Sequence, residues 1–226
     1  MTDDELLDVL KQRIAAVEAR VTAACQQSGR DRNSVTIVAI TKTVSIRVAA
    51  MLPGLGIPDL GENRPQELWK KAGAIPDAIW HFTGHLQRNK IDQTLPLIEL
   101  IHTVDSERLA MALNEFAQKR GRPMPVLLEV NCSRETTKAG FAPSELPAVA
   151  DRLKSLGGLQ IQGLMTMAAY ADDPETARPA FVELRQLGST LPHLSMGMSG
   201  DFEIAIEEGA TYIRLGTVLF EELDGE

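Results

Sequence analysis

Three short stretches carry side chains whose types could do chemistry together. Ala39-Ile40-Thr41-Lys42 places a lysine directly after an apolar, strand-like run. Desolvation there would favour the neutral amine, and a neutral amine attacks an aldehyde to form a Schiff base. A lysine snorkelling to solvent reads the same way. Leu194-Ser195-Met196-Gly197-Met198-Ser199 leads into a helix beginning near Ser199-Gly200-Asp201. Small residues let the backbone approach a ligand, and unpaired N–H groups at a helix start suit an anion. Ser195 and Met198 belong to this candidate binding stretch. Asp201 brings a negative charge that would compete with a bound anion. In Arg214-Leu215-Gly216-Thr217, the last two residues offer an N–H and a hydroxyl. A glycine turn with a capping serine would explain both stretches without a ligand. Arg214 falls where alternation points it inward, so its guanidinium needs a partner. Either a cofactor ring nitrogen or a buried carboxylate such as Glu129 would serve.

Weaker candidates stand in Gly61-Glu62-Asn63 and Trp80-His81-Phe82-Thr83-Gly84. Asn63 can donate or accept. His81 fits a ligand contact or a satisfied structural histidine equally well. His81 and His85 are separated by Gly84, which argues against a metal-binding helix face, and no metal is expected. Lys138 reads most simply as a solvated or gating cation.

These residues need elements to position them. Leu6, Leu10, Ile14, Val17, Val21 and Ala24 recur at three- and four-residue steps, which predicts one long helix over about 3–28. Thr2 and Glu5 suit a capping box, and Gly29 a stop. Strand-like runs follow at 35–40, 59–61, 78–82, 100–104, 126–131, 161–167, 193–196 and 211–216. Their continuous apolar, β-branched character is that of parallel strands covered on both faces. Helical patterns lie between them, at about 44–52, 64–72, 86–94, 106–120, 143–156, 174–188 and 200–208. The alternation predicts a single (β/α)8 barrel of the TIM type preceded by an extra helix, α/β in class. An open doubly wound sheet is the alternative, weakened by the lack of a Gly-x-Gly-x-x-Gly after a strand. In such a barrel the ends of strands one, seven and eight meet at one mouth, and phosphate sites often lie after strands seven and eight.

Composition narrows the function. Of 226 residues, 23 are Lys or Arg and 31 Asp or Glu, a net charge of −8. That disfavours a broad nucleic-acid surface. No apolar run spans a bilayer, and the acidic start MTDDELLDVL is unlike a secretory signal. A cytoplasmic protein is expected. The two cysteines, Cys25 and Cys132, form no metal motif.

Taken in order, VAITK, GENRPQE, WHFTGHLQRNK, LLEVN followed by TKAGF, GLMTMA, SMGMSGDFEIAIEEGA and YIRLGT resemble the pyridoxal-phosphate homeostasis protein family over about residues 35–220. The resemblance implies one domain over 1–226, like the N-terminal barrel of alanine racemase, with residues 1–30 packed on it as a helix. It implies pyridoxal 5′-phosphate (PLP) held as an aldimine on Lys42, with Ser199, Gly216, Thr217 and the backbone around Met198 at the phosphate. Arg214 matches the arginine facing the pyridine nitrogen. Asn63, His81 and Met165 fall in segments lining the pocket. The implied role is carrying or buffering the cofactor as a monomer, with PLP-dependent apo-enzymes as possible recipients, without committed turnover. A racemase or lyase is the alternative, and it would need a second base, with Tyr170, Lys138 or a partner chain as candidates. The chain runs only a short way past the eighth strand, so the added β-domain of alanine racemase is not expected. Three features depart from the family pattern: Pro65, Thr83, and the segment Glu221-Glu222-Leu223 where a glycine is common after Phe220.

Overall fold

The computed structural model describes residues 1–223. A long helix, α1 (Asp3–Gln27), comes first, then β1 (Thr36–Ile40), α2 (Ile46–Ala49), β2 (Asp59–Glu62) and α3 (Pro65–Ala74). Next come β3 (Ile79–Phe82), α4 (Ile91–Thr94), β4 (Leu100–Val104), α5 (Glu107–Arg120) and β5 (Met124–Glu129). The chain continues through α6 (Leu146–Leu153), β6 (Leu159–Met165), α7 (Arg178–Leu187), β7 (His193–Ser195), α8 (Phe202–Glu207), β8 (Tyr212–Leu215) and α9 (Thr217–Phe220). All strand pairs are parallel, and β8 returns to β1 to close an eight-stranded barrel. The expected barrel is therefore present, and the open sheet is not.

Local chemistry explains the elements. Thr2 and Glu5 cap α1 reciprocally: the Glu5 amide donates to Thr2 Oγ1 at 3.2 Å and the Thr2 amide to Glu5 Oε2 at 2.7 Å. The predicted face of α1, Leu6 through Ala24, is the buried one. It packs on α8 and α9, the helices that follow β7 and β8. Arg13 donates to the carbonyls of Leu219 (3.1 Å) and Glu221 (2.7 Å), and Arg20 pairs with Glu203 at 2.6 Å. The extra helix thus braces the C-terminal side of the barrel.

Several helices are shorter than expected. The pattern at 44–52 yields only α2 and a 3-10 turn at Pro53–Leu55, because Pro53 and the left-handed Gly56 (φ +85°) end it. The pattern at 86–94 starts as a 3-10 turn before α4. Pro65 opens α3 in its first turn, where no N–H is needed, so that departure from the family is structurally neutral. The tail departure has a backbone cost. Glu222 sits at φ +60°, in the left-handed region, with its side chain in solvent. That conformation costs a non-glycine residue roughly 1–2 kcal/mol, partly offset by the roughly 0.5–1 kcal/mol that glycine loses in chain entropy. Glu222→Gly is expected to stabilise the fold by about 0.5 kcal/mol in urea unfolding; a clear loss of stability would show that the Glu222 side chain holds the tail.

Candidate functional site

Side chains at alternate positions of a strand share a face. On β1 the side chains of Val38 and Ile40 meet the space over Gly61 of β2, so they point into the barrel. Lys42 follows two residues on, at the mouth, and is solvent-exposed. Its amine makes no hydrogen bond or ion pair among the described residues, so the expected desolvation is not present. The residue before it is tightly held. Thr41 donates from Oγ1 to Glu62 Oε1 at 2.6 Å, and Lys71 Nζ reaches both the Thr41 carbonyl and Glu62 Oε1 at 2.6 Å. Lys71 and Glu62 are both buried. The ion pair therefore anchors the turn that carries Lys42. Glu62 Oε2 is left buried without a partner.

The loop between β7 and α8 turns at Gly197, whose φ is +93° and where a Cβ would lie 2.6 Å from the Ala205 Cβ. Only glycine fits that turn. Two further bonds shape the loop. Asp201 Oδ1 accepts from the Met198 amide at 2.6 Å, and Ser199 Oγ accepts from the Val218 amide at 3.2 Å. The first corrects the expectation that the Met198 backbone is free for an anion: Asp201 already occupies that N–H. The second ties the loop after β7 to the start of α9, so Ser199, Gly216 and Thr217 come together. Burial holds the Asp201 carboxyl above the usual range, countered by the Met198 hydrogen bond and by Arg214.

Arg214 is 4% exposed. Its Nη1 donates to Ser195 Oγ at 2.6 Å and its Nη2 to the Thr166 carbonyl at 2.9 Å. No ion pair to Glu129 forms among the described residues. Burial pulls the guanidinium down to about 10, countered by the charges of Asp201 and Glu129. Arg214 pairs in register with Val38 of the neighbouring β1, the strand that leads two residues on from its end to Lys42.

Ser195 and His81 lie deeper than the sequence suggested. Ser195 is fully buried and accepts from Arg214. Both ring nitrogens of His81 are engaged, Nε2 with Asp59 Oδ1 and Nδ1 with His102 Nε2, each at 2.9 Å. Neither offers a ligand a free group; they support Arg214 from below. Met165 packs with Leu100 and Leu127 as an apolar floor. Asn63 Oδ1 is buried with no partner, a spare acceptor at the mouth. Gly84 lets the β2 and β3 loops touch there, since a Cβ would fall 2.0 Å from the Asn63 carbonyl. His102 and Asp59 were missed. A histidine in the middle of the apolar Leu100–Val104 strand was the available signal. Among the described residues no cluster of three His, Cys, Asp or Glu side chains could hold a metal.

Comparison with known proteins places this geometry. The family described as "Alanine racemase, N-terminal domain" matches residues 13–223. The pyridoxal phosphate homeostasis protein of Aquifex aeolicus is 40% identical over 221 residues, covering 93% of this chain and 97% of that one. The chain belongs to the pyridoxal phosphate homeostasis protein family. The family's Pseudomonas aeruginosa member is 37% identical over 224 residues, covering 96% and 97%. Among solved structures, PipY of Synechococcus elongatus with PLP bound superposes at TM-score 0.81 with 31% identity, covering 93% of this chain and 99% of that one. Alanine racemase of Clostridium difficile, at 17% identity and TM-score 0.73, covers 94% of this chain and 55% of that one, and shares the fold alone. No described helix is long and apolar enough to cross a membrane.

Glu129 closes the β5 end of the mouth at 6% exposure. Burial first, then the Asp105 charge, pushes its carboxyl up to about 7. Below pH 4.5 both folded and unfolded forms hold that proton. As pH rises to 7 only the unfolded form has lost it, so stability falls through that window and stays lower above it. Glu129→Gln is expected to raise stability at pH 8 by about 2–3 kcal/mol and to change little at pH 4. An equal change at both pH values in paired denaturation curves would contradict this.

Proposed function

We infer that the chain binds PLP at this mouth and serves cofactor homeostasis, carrying or buffering PLP rather than turning over a substrate. One observation carries the reading: an exposed lysine follows the end of β1, and a buried arginine lies on β8, the strand paired with it. PLP, when bound, supplies an aldehyde open to amine attack and an electron-withdrawing ring. Lys42 is the residue that would attach it covalently. Ser199, Gly216 and Thr217 would hold its phosphate, in the loops where such barrels bind that group. Asn63 Oδ1 would accept a hydrogen bond.

Arg214 keeps free N–H groups beyond the two already used. With PLP bound, Arg214 would be the residue to meet the ring nitrogen, and a guanidinium there would keep that nitrogen unprotonated and the cofactor a weak electron sink, which suits storage better than catalysis. The two candidates for a second base within this chain give the racemase or lyase reading no support. Lys138 donates to the Ala168 carbonyl at 2.9 Å and pairs with Glu135, while Tyr170 is 95% exposed. In this reading the protein acts as a cytoplasmic monomer and yields PLP to apo-enzymes.

The protein incubated with PLP should show a visible absorbance band that borohydride fixes onto Lys42. Lys42→Ala should lose the fixed label while keeping its fold by circular dichroism. The loaded protein should restore activity to a PLP-dependent apo-enzyme. A wild-type chain that takes up no PLP, or a label fixed elsewhere, would overturn the reading.

A further inference from the structure

A line of five polar side chains crosses the barrel interior beneath the mouth. It starts at Arg214, near the C-terminal end of β8, and ends at Asp59, the first residue of β2. Its contacts are Arg214 Nη1 to Ser195 Oγ (2.6 Å), Ser195 Oγ to His102 Nδ1 (2.8 Å), His102 Nε2 to His81 Nδ1 (2.9 Å) and His81 Nε2 to Asp59 Oδ1 (2.9 Å). His81, His102, Ser195 and Arg214 are all buried. The donors fix its direction. Arginine can only donate and the Asp59 carboxylate can only accept, so with one proton on each ring the consistent arrangement has Ser195 Oγ accepting from Arg214 and donating to His102 Nδ1. His102 must then carry its proton on Nε2 and donate to His81 Nδ1. His81 in turn carries its proton on Nε2 and donates to the Asp59 carboxylate. Each member gives one hydrogen bond toward Asp59, and neither histidine needs a charge.

The surroundings agree with a neutral His102 ring. Burial, the largest cause, holds His102 well below the usual histidine range, and the Arg214 charge acts in the same direction. Tyr212 covers the histidines, its ring centroid 5.7 Å from His81 and 5.4 Å from His102. The charged groups in reach are Arg214 at one end and Asp59 at the other, with His193 beside Tyr212. Linked hydrogen bonds polarise one another. A carboxylate at the far end therefore makes Ser195 a stronger acceptor and holds the guanidinium in one orientation.

We propose that Asp59, His81, His102 and Ser195 are positioning residues for Arg214, a one-way hydrogen-bond line that sets how the guanidinium meets the cofactor ring. The proposal rests on the PLP-binding reading, and it adds residues that never reach the cofactor. Burying so much polarity is costly unless every group is satisfied. Here every link is satisfied, and the line delivers its effect to the one side chain that faces the mouth.

Two measurements test it. In the unloaded wild-type chain, nitrogen-15 NMR at pH 8 should find the proton of His81 and of His102 on Nε2, with Nδ1 bare in both rings. A proton on Nδ1 of either ring at that pH would overturn the stated direction. In the loaded protein, Ser195→Ala and the near-isosteric Asp59→Asn are compared with wild type for PLP affinity and for the pH midpoint of the visible band. Ser195→Ala should weaken binding about tenfold and shift the midpoint. Asp59→Asn should shift it in the same direction by less, with an unchanged melting profile. A wild type that binds PLP, beside two variants with wild-type affinity and midpoint, would refute the positioning role alone. A wild type that binds none would refute the underlying reading instead, leaving the NMR result to decide the line's direction.

Discussion

Hydrogen bonds between β8 and β1 close the barrel, from Thr36 opposite Tyr212 to Ala39 opposite Leu215. That closure turns residues from the two ends of the chain into neighbours. Lys42 follows β1 and Arg214 lies within β8, yet one mouth holds both. The loops after β7 and β8 are joined by the Ser199–Val218 bond. The same side of the barrel carries α1, whose apolar face covers α8 and α9. The first helix thus supports the last two loops, and the site depends on contacts far apart in sequence.

Two buried polar constructions serve that mouth from different directions. Outside the strands, Lys71 and Glu62 fix the peptide that precedes Lys42. Inside them, the line from Asp59 to Arg214 fixes the guanidinium. Neither is the cheapest way to fill space, since apolar side chains of like volume would often be as stable or more so. Their value lies in orientation. A barrel interior that must hold a charged group at its top needs hydrogen-bond partners below it. The apolar floor of Leu100, Leu127 and Met165 fills the remainder.

The barrel was legible because its pattern is simple: apolar runs with β-branched residues, alternating with helical periods. The three-and-four spacing of Leu6 to Ala24 located the buried face of α1 with its cap. Lys42, Ser199, Arg214, Gly216 and Thr217 were singled out by their places at strand ends, and the structure brings them to one mouth. The interior line was not legible. Both faces of a parallel strand are buried, so the sequence alone could not separate side chains inside the barrel from those under the helices. That ambiguity made His81 look like a mouth residue and left Asp59 and His102 unnoticed. Short helices such as α2 were overestimated, because tertiary packing and glycine turns end them sooner than periodicity suggests. The exposure of Lys42 was hidden too, since it depends on how the β1 turn leaves the barrel.

The central claim is that Lys42, the Ser199–Thr217 cup and Arg214 act on one PLP molecule. A crystal structure of the chain grown with PLP tests it most directly. The account predicts density continuous with Lys42 Nζ, the phosphate between Ser199 and Thr217, and the ring nitrogen opposite Arg214. Cofactor density elsewhere, or a phosphate away from the β7 and β8 loops, would contradict it.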